Sequence, residues 1–252
     1  MNIRPPFEVV RADQMPHDAR NQMADIFADG FSQWLDYFSN DKKVIANAFA
    51  HMFKMDQFYV AVSGQEIAAM AACTDCHTLS LQLDRKQLRK FLGLYKGVLA
   101  GIILKRAFEK PFEDPPSNTG SIEFVGTALK FRSQGAASHL IDTIMKMTPF
   151  EQYIIEEVAD TNLPAMKLYH KLGFEEYKRK RLSTSAAKKS GIQYMISLRR
   201  MNNKEEFSRF CFLLYNICIF ASDTKPFSGE ICGTGNPLRT PLTSELARKL
   251  PV

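Results

Sequence analysis

Residues 132–137 read Arg-Ser-Gln-Gly-Ala-Ala, and they follow a strand-like apolar run from Ile122 to Leu129. They open a helical pattern over 135–147, with Ala137, Leu140, Ile141 and Ile144 on one face. A loop of small residues between a strand and a helix leaves several backbone N–H groups without partners. With the positive end of the helix dipole, those groups suit a pyrophosphate. Gly135 lets the backbone come close to the phosphates, and Arg132 adds a cation. Taken alone, the loop equally fits a tight strand-to-helix turn that binds nothing.

A second stretch follows one strand later. Tyr153 to Val158 is strand-like, and Asn162 to Leu172 is a short helix stopped by Gly173 before Phe174. Asn162, Ala165, Tyr169, Gly173 and Phe174 stand at fixed spacings in this stretch, about 25 residues beyond the loop. The two stretches together resemble the GNAT superfamily of N-acetyltransferases, whose members carry an Arg/Gln-x-x-Gly-x-Gly/Ala loop and then Asn-x-x-Ala-x-x-x-Tyr-x-x-x-Gly-Phe. Three departures stand out: Thr127-Ala128-Leu129 replaces the usual apolar-x-Pro, Ser133 stands where Gly often follows Arg, and Ala137 replaces the second Gly.

The resemblance implies an α/β (α+β) GNAT-like acyl-CoA N-acyltransferase fold. This is a twisted, mostly antiparallel mixed sheet of roughly six or seven strands with helices on both faces. It implies acetyl-CoA as co-substrate, with no metal. Arg132, Ser133, Gln134, Gly135, Ala136 and Ala137 would cradle the pyrophosphate. Val125, Thr127 and Leu129, at the end of the preceding strand, would pair with the pantetheine arm. Asn162 would contact the pantetheine or its pyrophosphate end, and Tyr169 would lie near the sulfur.

Acetyl transfer to an amine asks for three things: loss of the ammonium proton, donors for the oxyanion, and a proton for the leaving thiolate. Tyr169 is the candidate acid, with a phenol near its ordinary pKa of about 10; its other reading is a core aromatic beside Ala165, Leu168 and Leu172. Glu123 is the candidate base, an acidic residue in an apolar strand; by strand alternation it also reads as an outward-facing charge. Glu156 and Glu157 are weaker candidates, since one of an adjacent pair faces away. No cysteine sits in the signature, so direct attack without an acyl-enzyme is expected. The alternative is an acyl-CoA-binding or sensing module that does no transfer.

Outward from these stretches, Phe7 to Arg11 reads as a strand. Residues 18–38 carry helical spacing through Met23, Ile26, Phe27, Phe31, Trp34 and Leu35. Asn40 and Asp41 offer caps for a second helix. Phe58 to Val62 and Ile67 to Cys73 form a hairpin around Ser63-Gly64-Gln65-Glu66. Leu83 to Phe108 is helical with breaks near Gly93 and Gly97, and its part from Leu94 onward is an addition to the minimal GNAT plan that enlarges the core or covers the acceptor site. Phe174 to Arg181 and Ile192 to Leu198 pair around a Ser-, Ala- and Lys-rich loop at 183–191. The transferase domain is placed at residues 1–200. Residues 201–252 are an appended tail, in which Phe207 to Ala221 packs on the domain or on a second chain, a homodimer contact.

Composition agrees with an ordinary globular chain: of 252 residues, 45% are hydrophobic and 24% charged. The net charge of +6 shows no dense basic arm, and no nucleic-acid partner is expected. Five cysteines without an apolar leader suggest reduced thiols and a cytoplasmic protein. Cys73-Thr74-Asp75-Cys76-His77 lacks the second ligand pair a zinc site needs. No apolar run reaches the length of a membrane span.

Overall fold

The computed structural model describes residues 7–109, 112 and 115–202. β1 (Glu8–Arg11) leads to α1 (Arg20–Leu35) and α2 (Lys42–Phe49). Of the two expected caps of α2, Asp41 is the one used: its Oδ1 accepts from the N–H groups of Lys43 and Val44 at 2.8 and 3.4 Å. β2 (Phe58–Ser63) and β3 (Glu66–Thr74) form the expected hairpin, turned at Gly64 with φ +65°. α3 (Arg85–Leu92) and α4 (Leu94–Phe108) are separated by Gly93 alone, at φ +80°. Gly97 does not break the helix; it remains inside α4.

The second half runs β4 (Thr119–Thr127), α5 (Ala136–Met147), β5 (Gln152–Ala159), α6 (Leu163–Lys171), β6 (Glu175–Arg181), α7 (Thr184–Ser190) and β7 (Tyr194–Met201). The segment at 183–191, expected to be a loop, is the helix α7. Its Ala- and Lys-rich run lies between a Ser183 cap, whose Oγ accepts from Ala186 N–H at 3.3 Å, and Gly191 at φ +75°. Phe174 precedes β6 and is buried, so the strand is shorter at its start than expected. β7 runs past Leu198 to Met201, and Asn202 donates to the carbonyls of Met145 and Phe150 at 3.2 and 3.0 Å. A boundary at residue 200 therefore cuts the last strand. The expected tail, including Phe207 to Ala221, lies outside the described residues.

The strands form one seven-stranded sheet in the order β1-β2-β3-β4-β5-β7-β6. Every pairing is antiparallel except β4 with β5. The mostly antiparallel mixed sheet inferred from the family resemblance is thus observed. One apolar cluster joins α1 to α4 with one face of the sheet, through Met23, Phe27, Phe49, Phe58 and Met70. A second joins α5 and α6 with the other face, through Leu140, Ile141, Ile144, Tyr153 and Phe174. β3 is buried along nearly its whole length and is the centre of both. β6 is an edge strand, exposed at every residue and rich in Lys and Arg, a composition that blunts edge-to-edge pairing.

Candidate active site

The pairing of β4 with β5 fails partway along. The two parallel strands pair at Thr119–Gln152, Gly120–Tyr153 and Ser121–Ile154, and no further. Each strand carries a bulge just beyond that point. In β4, Glu123 faces Ala72 and Gly126 faces Met70, so Phe124 and Val125 share one position of β3, and Phe124 takes φ +50°. In β5, Ile155 faces Leu198 and Val158 faces Ile196, so Glu156 and Glu157 share one position of β7, and Glu157 takes φ +56°. A bulge bends its strand and leaves backbone groups outside the ladder. Two bulges at one level let β4 and β5 part, opening a gap in the sheet between their C-terminal halves.

The phosphate-type loop stands beside that gap. β4 ends at Thr127, and Leu129, expected on the strand, begins a 3-10 turn and is 55% exposed. The tightening at Ala128 withdraws Leu129 from any added-strand pairing; Val125 and Thr127 remain in β4. Ser133 and Gly135 both lie in the left-handed region, at φ +62° and +84°. No side chain caps α5, so the first N–H groups of that helix have no partner from a cap. A Cβ on Gly135 would meet nothing within 4 Å, so the space before the turn is open. Arg132, Ser133 and Gln134 are exposed around it, while Ala136 and Ala137 are buried under the loop. Arg132 reaches back with Nε 3.5 Å from the Thr127 carbonyl.

Asn162 is the N-cap of α6, its Oδ1 accepting from Ala165 N–H at 3.3 Å. That bond uses the carboxamide oxygen and leaves the amide nitrogen as the group available to a ligand. Tyr169 lies on the inner face of α6, 5% exposed, with its ring 6.2 Å from that of Phe174. Burial alone pushes its phenol well above the ordinary tyrosine value expected from sequence. It is therefore protonated throughout the neutral range.

Glu123 is not the outward-facing charge that strand alternation allowed. Ile122 and Cys73 belong to the cluster on the α5 face, and Ala72, opposite Glu123, belongs to the other. Alternation therefore carries the carboxylate to the face that α1 to α4 cover, where it is largely buried and Thr74 Oγ1 donates to Oε1 at 2.9 Å and Ser80 Oγ to Oε2 at 2.6 Å. Burial raises its pKa; the hydroxyls of Ser80 and Thr74 act the other way and do not cancel it. Ser121 Oγ is buried with no hydrogen-bond partner. Glu156 accepts a short hydrogen bond from Tyr177 Oη, and Glu157 is exposed, with Lys180 at 3.7 Å. The bulge thus separates the two adjacent acids, one bonded across to β6 and one in solvent.

Sequence reasoning missed the hydroxyls around Glu123. Ser80 is 43 residues away in sequence, and an isolated serine in a loop gives no periodic or motif signal. Cys73 and Cys76 are both buried, with thiols pushed up to about 12 chiefly by burial; at neutral pH they are not nucleophiles. Among the described residues no group of three or more His, Cys, Asp or Glu is gathered as metal ligands would be. No helix among them is long and apolar enough to cross a membrane.

The model of the acetyltransferase (GNAT) family matches residues 20–174, more than half of the chain and the part that contains the gap, the loop and α6. The chain belongs to the GNAT acetyltransferase family. Its fold is shared with the N-acetyltransferase from Staphylococcus aureus Mu50, at TM-score 0.52 and 15% identity over 77% of this chain and 100% of that one. Also similar are an acetyltransferase crystal structure (TM-score 0.47, 15% identity, 78% of this chain and 100% of that one) and PH1933 from Pyrococcus horikoshii OT3 (TM-score 0.47, 17% identity, 78% of this chain and 99% of that one). No match is found among curated protein sequences. Within the GNAT match lie Arg132, Gly135, Asn162 and Tyr169, residues that carry the resemblance.

Proposed function

We propose that this GNAT chain is an N-acetyltransferase that takes acetyl-CoA as donor and transfers its acetyl group to a primary amine by direct attack. The observation that carries the reading is the gap between β4 and β5 beside the uncapped start of α5. The pyrophosphate would lie on the N–H groups of residues 133–137, with Arg132 and the helix dipole balancing its charge. The pantetheine arm would enter the gap along β4, using the edge groups of Val125 and Thr127. The N–H groups that the β4 bulge frees from the ladder would donate to the thioester oxygen as it gains charge.

The amine reaches the thioester carbon from the Glu123 side of the sheet. A carboxylate with a raised pKa is a stronger base than an exposed one, and its hydroxyl partners hold it in place. The ammonium proton goes to Glu123, the nitrogen bonds to the acyl carbon and gives its second proton to solvent, and the C–S bond breaks as the thiolate takes the Tyr169 proton, which solvent then restores to the tyrosine. Asn162 would hold the pantetheine through its amide nitrogen.

Two measurements test the proposal. Coenzyme A release should occur when acetyl-CoA is supplied with a panel of peptide N-termini, lysine side chains, polyamines and small-molecule amines. Acetyl-CoA binding without release for any amine would assign the fold to a sensing role instead. Gly135→Glu puts bulk and negative charge where the pyrophosphate would sit. It should abolish acetyl-CoA binding measured by calorimetry, and unchanged affinity would remove the loop from the site.

A further inference from the structure

From Arg85 to Phe108 the chain has seven Lys and Arg residues and no Asp or Glu. This one helical hairpin carries +7, more than the +6 of the whole chain. The proposed acyl-CoA site uses none of its residues, and its outer surface is unusual. Leu94 and Tyr95 are 76% and 77% exposed, and Val98, Ile102 and Ile103 are each about half exposed. Those five are nearly half of the eleven large apolar side chains exposed among the described residues.

The helical period explains the arrangement. Gly97, Ala100, Gly101 and Leu104 form the buried side of α4. Leu94, Val98, Ile102 and Tyr95 fall within about 100° of one another on the opposite side. α3 lies against α4 along the glycines: a Cβ on Gly97 would come 2.5 Å from Arg89 Cα, and one on Gly101 2.9 Å from Arg85 Cγ. Arg85 and Arg89 therefore flank the apolar arc on one side. Arg106, exposed one turn beyond Ile102, and Lys96, whose Nζ donates to the Phe38 carbonyl at 3.0 Å, flank it on the other. Along the chain the flanking acids stand at the ends of the hairpin, where Asp84 caps α3 and Glu109 pairs with Lys105 at 2.8 Å.

We propose that the α3–α4 hairpin is a docking surface for an anionic lipid bilayer, with the Leu94–Ile102 arc entering the headgroup boundary and the flanking Lys and Arg meeting acidic headgroups. An apolar arc rimmed by cations is the pattern of an interfacial amphipathic helix. A second copy on this face would set one +7 hairpin against another, which like-charge repulsion opposes. A nucleic-acid surface would use the cations and leave the exposed aliphatic side chains in water.

The test uses the full chain and flotation with two kinds of vesicle: phosphatidylcholine alone, and equal parts phosphatidylcholine and phosphatidylserine. Binding to the second kind only, weakened by salt, is expected. Arg89→Gln with Arg106→Gln should weaken binding about 25-fold, roughly fivefold for each charge removed. Val98→Ser with Ile102→Ser should weaken it about tenfold or more, with an unchanged thermal midpoint because both side chains face solvent. No partition into phosphatidylserine vesicles at low salt, or partition that survives both pairs, overturns the proposal. So does self-association that the serine pair abolishes, which would make the occupant a second copy. Duplex DNA binding as tight as vesicle binding and indifferent to the serine pair would make it a nucleic acid.

Discussion

Replacing Glu123 by Gln separates chemistry from stability. The substitution keeps the side-chain shape and removes the charge. Thr74 can still donate to an amide oxygen, while Ser80 must turn its hydroxyl to accept from the new amide group. Two bonds to a charged acceptor then become bonds between neutral groups, a loss of about 1 kcal/mol each. Against this, the raised pKa of Glu123 states that burial disfavours the carboxylate by more than its hydroxyl partners favour it. A neutral isostere escapes that penalty, so the thermal midpoint at neutral pH should hold or rise. Turnover should fall by about 10²–10⁴-fold, the usual contribution of a positioned base. The sign of the pH dependence follows from the same shift. Because the folded carboxyl titrates above the unfolded one, its contribution to stability is complete below about pH 4.3, the ordinary glutamate value, and is lost as pH rises through the folded value. Wild type should show that decline and the Gln variant should not. Coenzyme A thiol release, followed across pH with an accepted amine and beside thermal unfolding, reads both. A Gln variant with wild-type turnover under conditions where chemistry limits the rate would refute the role of base. A clear loss of midpoint at neutral pH would refute the account of its burial.

Tyr169→Phe should lower turnover by about 10²–10⁴-fold while leaving acetyl-CoA affinity nearly unchanged; wild-type turnover, again where chemistry limits the rate, would leave Tyr169 a packing residue. Gly97→Ala should lower stability by about 1–3 kcal/mol in thermal unfolding, because the new methyl meets the Arg89 and Leu88 backbone at 2.5 and 2.9 Å and cannot rotate away. Gly101→Ala comes closest to the Arg85 side chain, at 2.9 Å from Cγ, which can shift where backbone cannot, and should cost less than Gly97→Ala, so equal losses for the two would contradict the packing described. A chain ending at Asn202 should fold and bind acetyl-CoA, whereas one ending at Arg200 should be less stable, having lost Met201 from β7 and the Asn202 bonds to Met145 and Phe150; an unfolded circular dichroism spectrum for the longer chain would make residues 203–252 essential to the fold.

Local chemistry in the sequence sufficed for the signature. A small-residue loop before α5, and an Asn-to-Phe174 stretch stopped by Gly173, act over a few residues each, so their spacing alone carried the family and most of the element order. The same locality explains the errors. The 183–191 segment holds good helix formers between a serine cap and a glycine stop, but its Ser- and Lys-rich composition resembles a loop. Leu129 continues an apolar run, yet the turn at Ala128 takes it out of the strand.

The sequence by itself determined the small-residue turn that opens α5 and which tyrosine lies on the inner face of α6, because those relations are set within one turn or one helix. Only the tertiary structure decided the rest of the site. Alternation left Glu123 between base and surface charge, and the packing of α1 to α4 over that face decided it by burying the carboxylate against Thr74 and Ser80, residues 49 and 43 positions away. The gap between β4 and β5 likewise belongs to neither strand alone. It exists because two bulges fall at the same level of the sheet, a register that depends on β3 and β7 as partners.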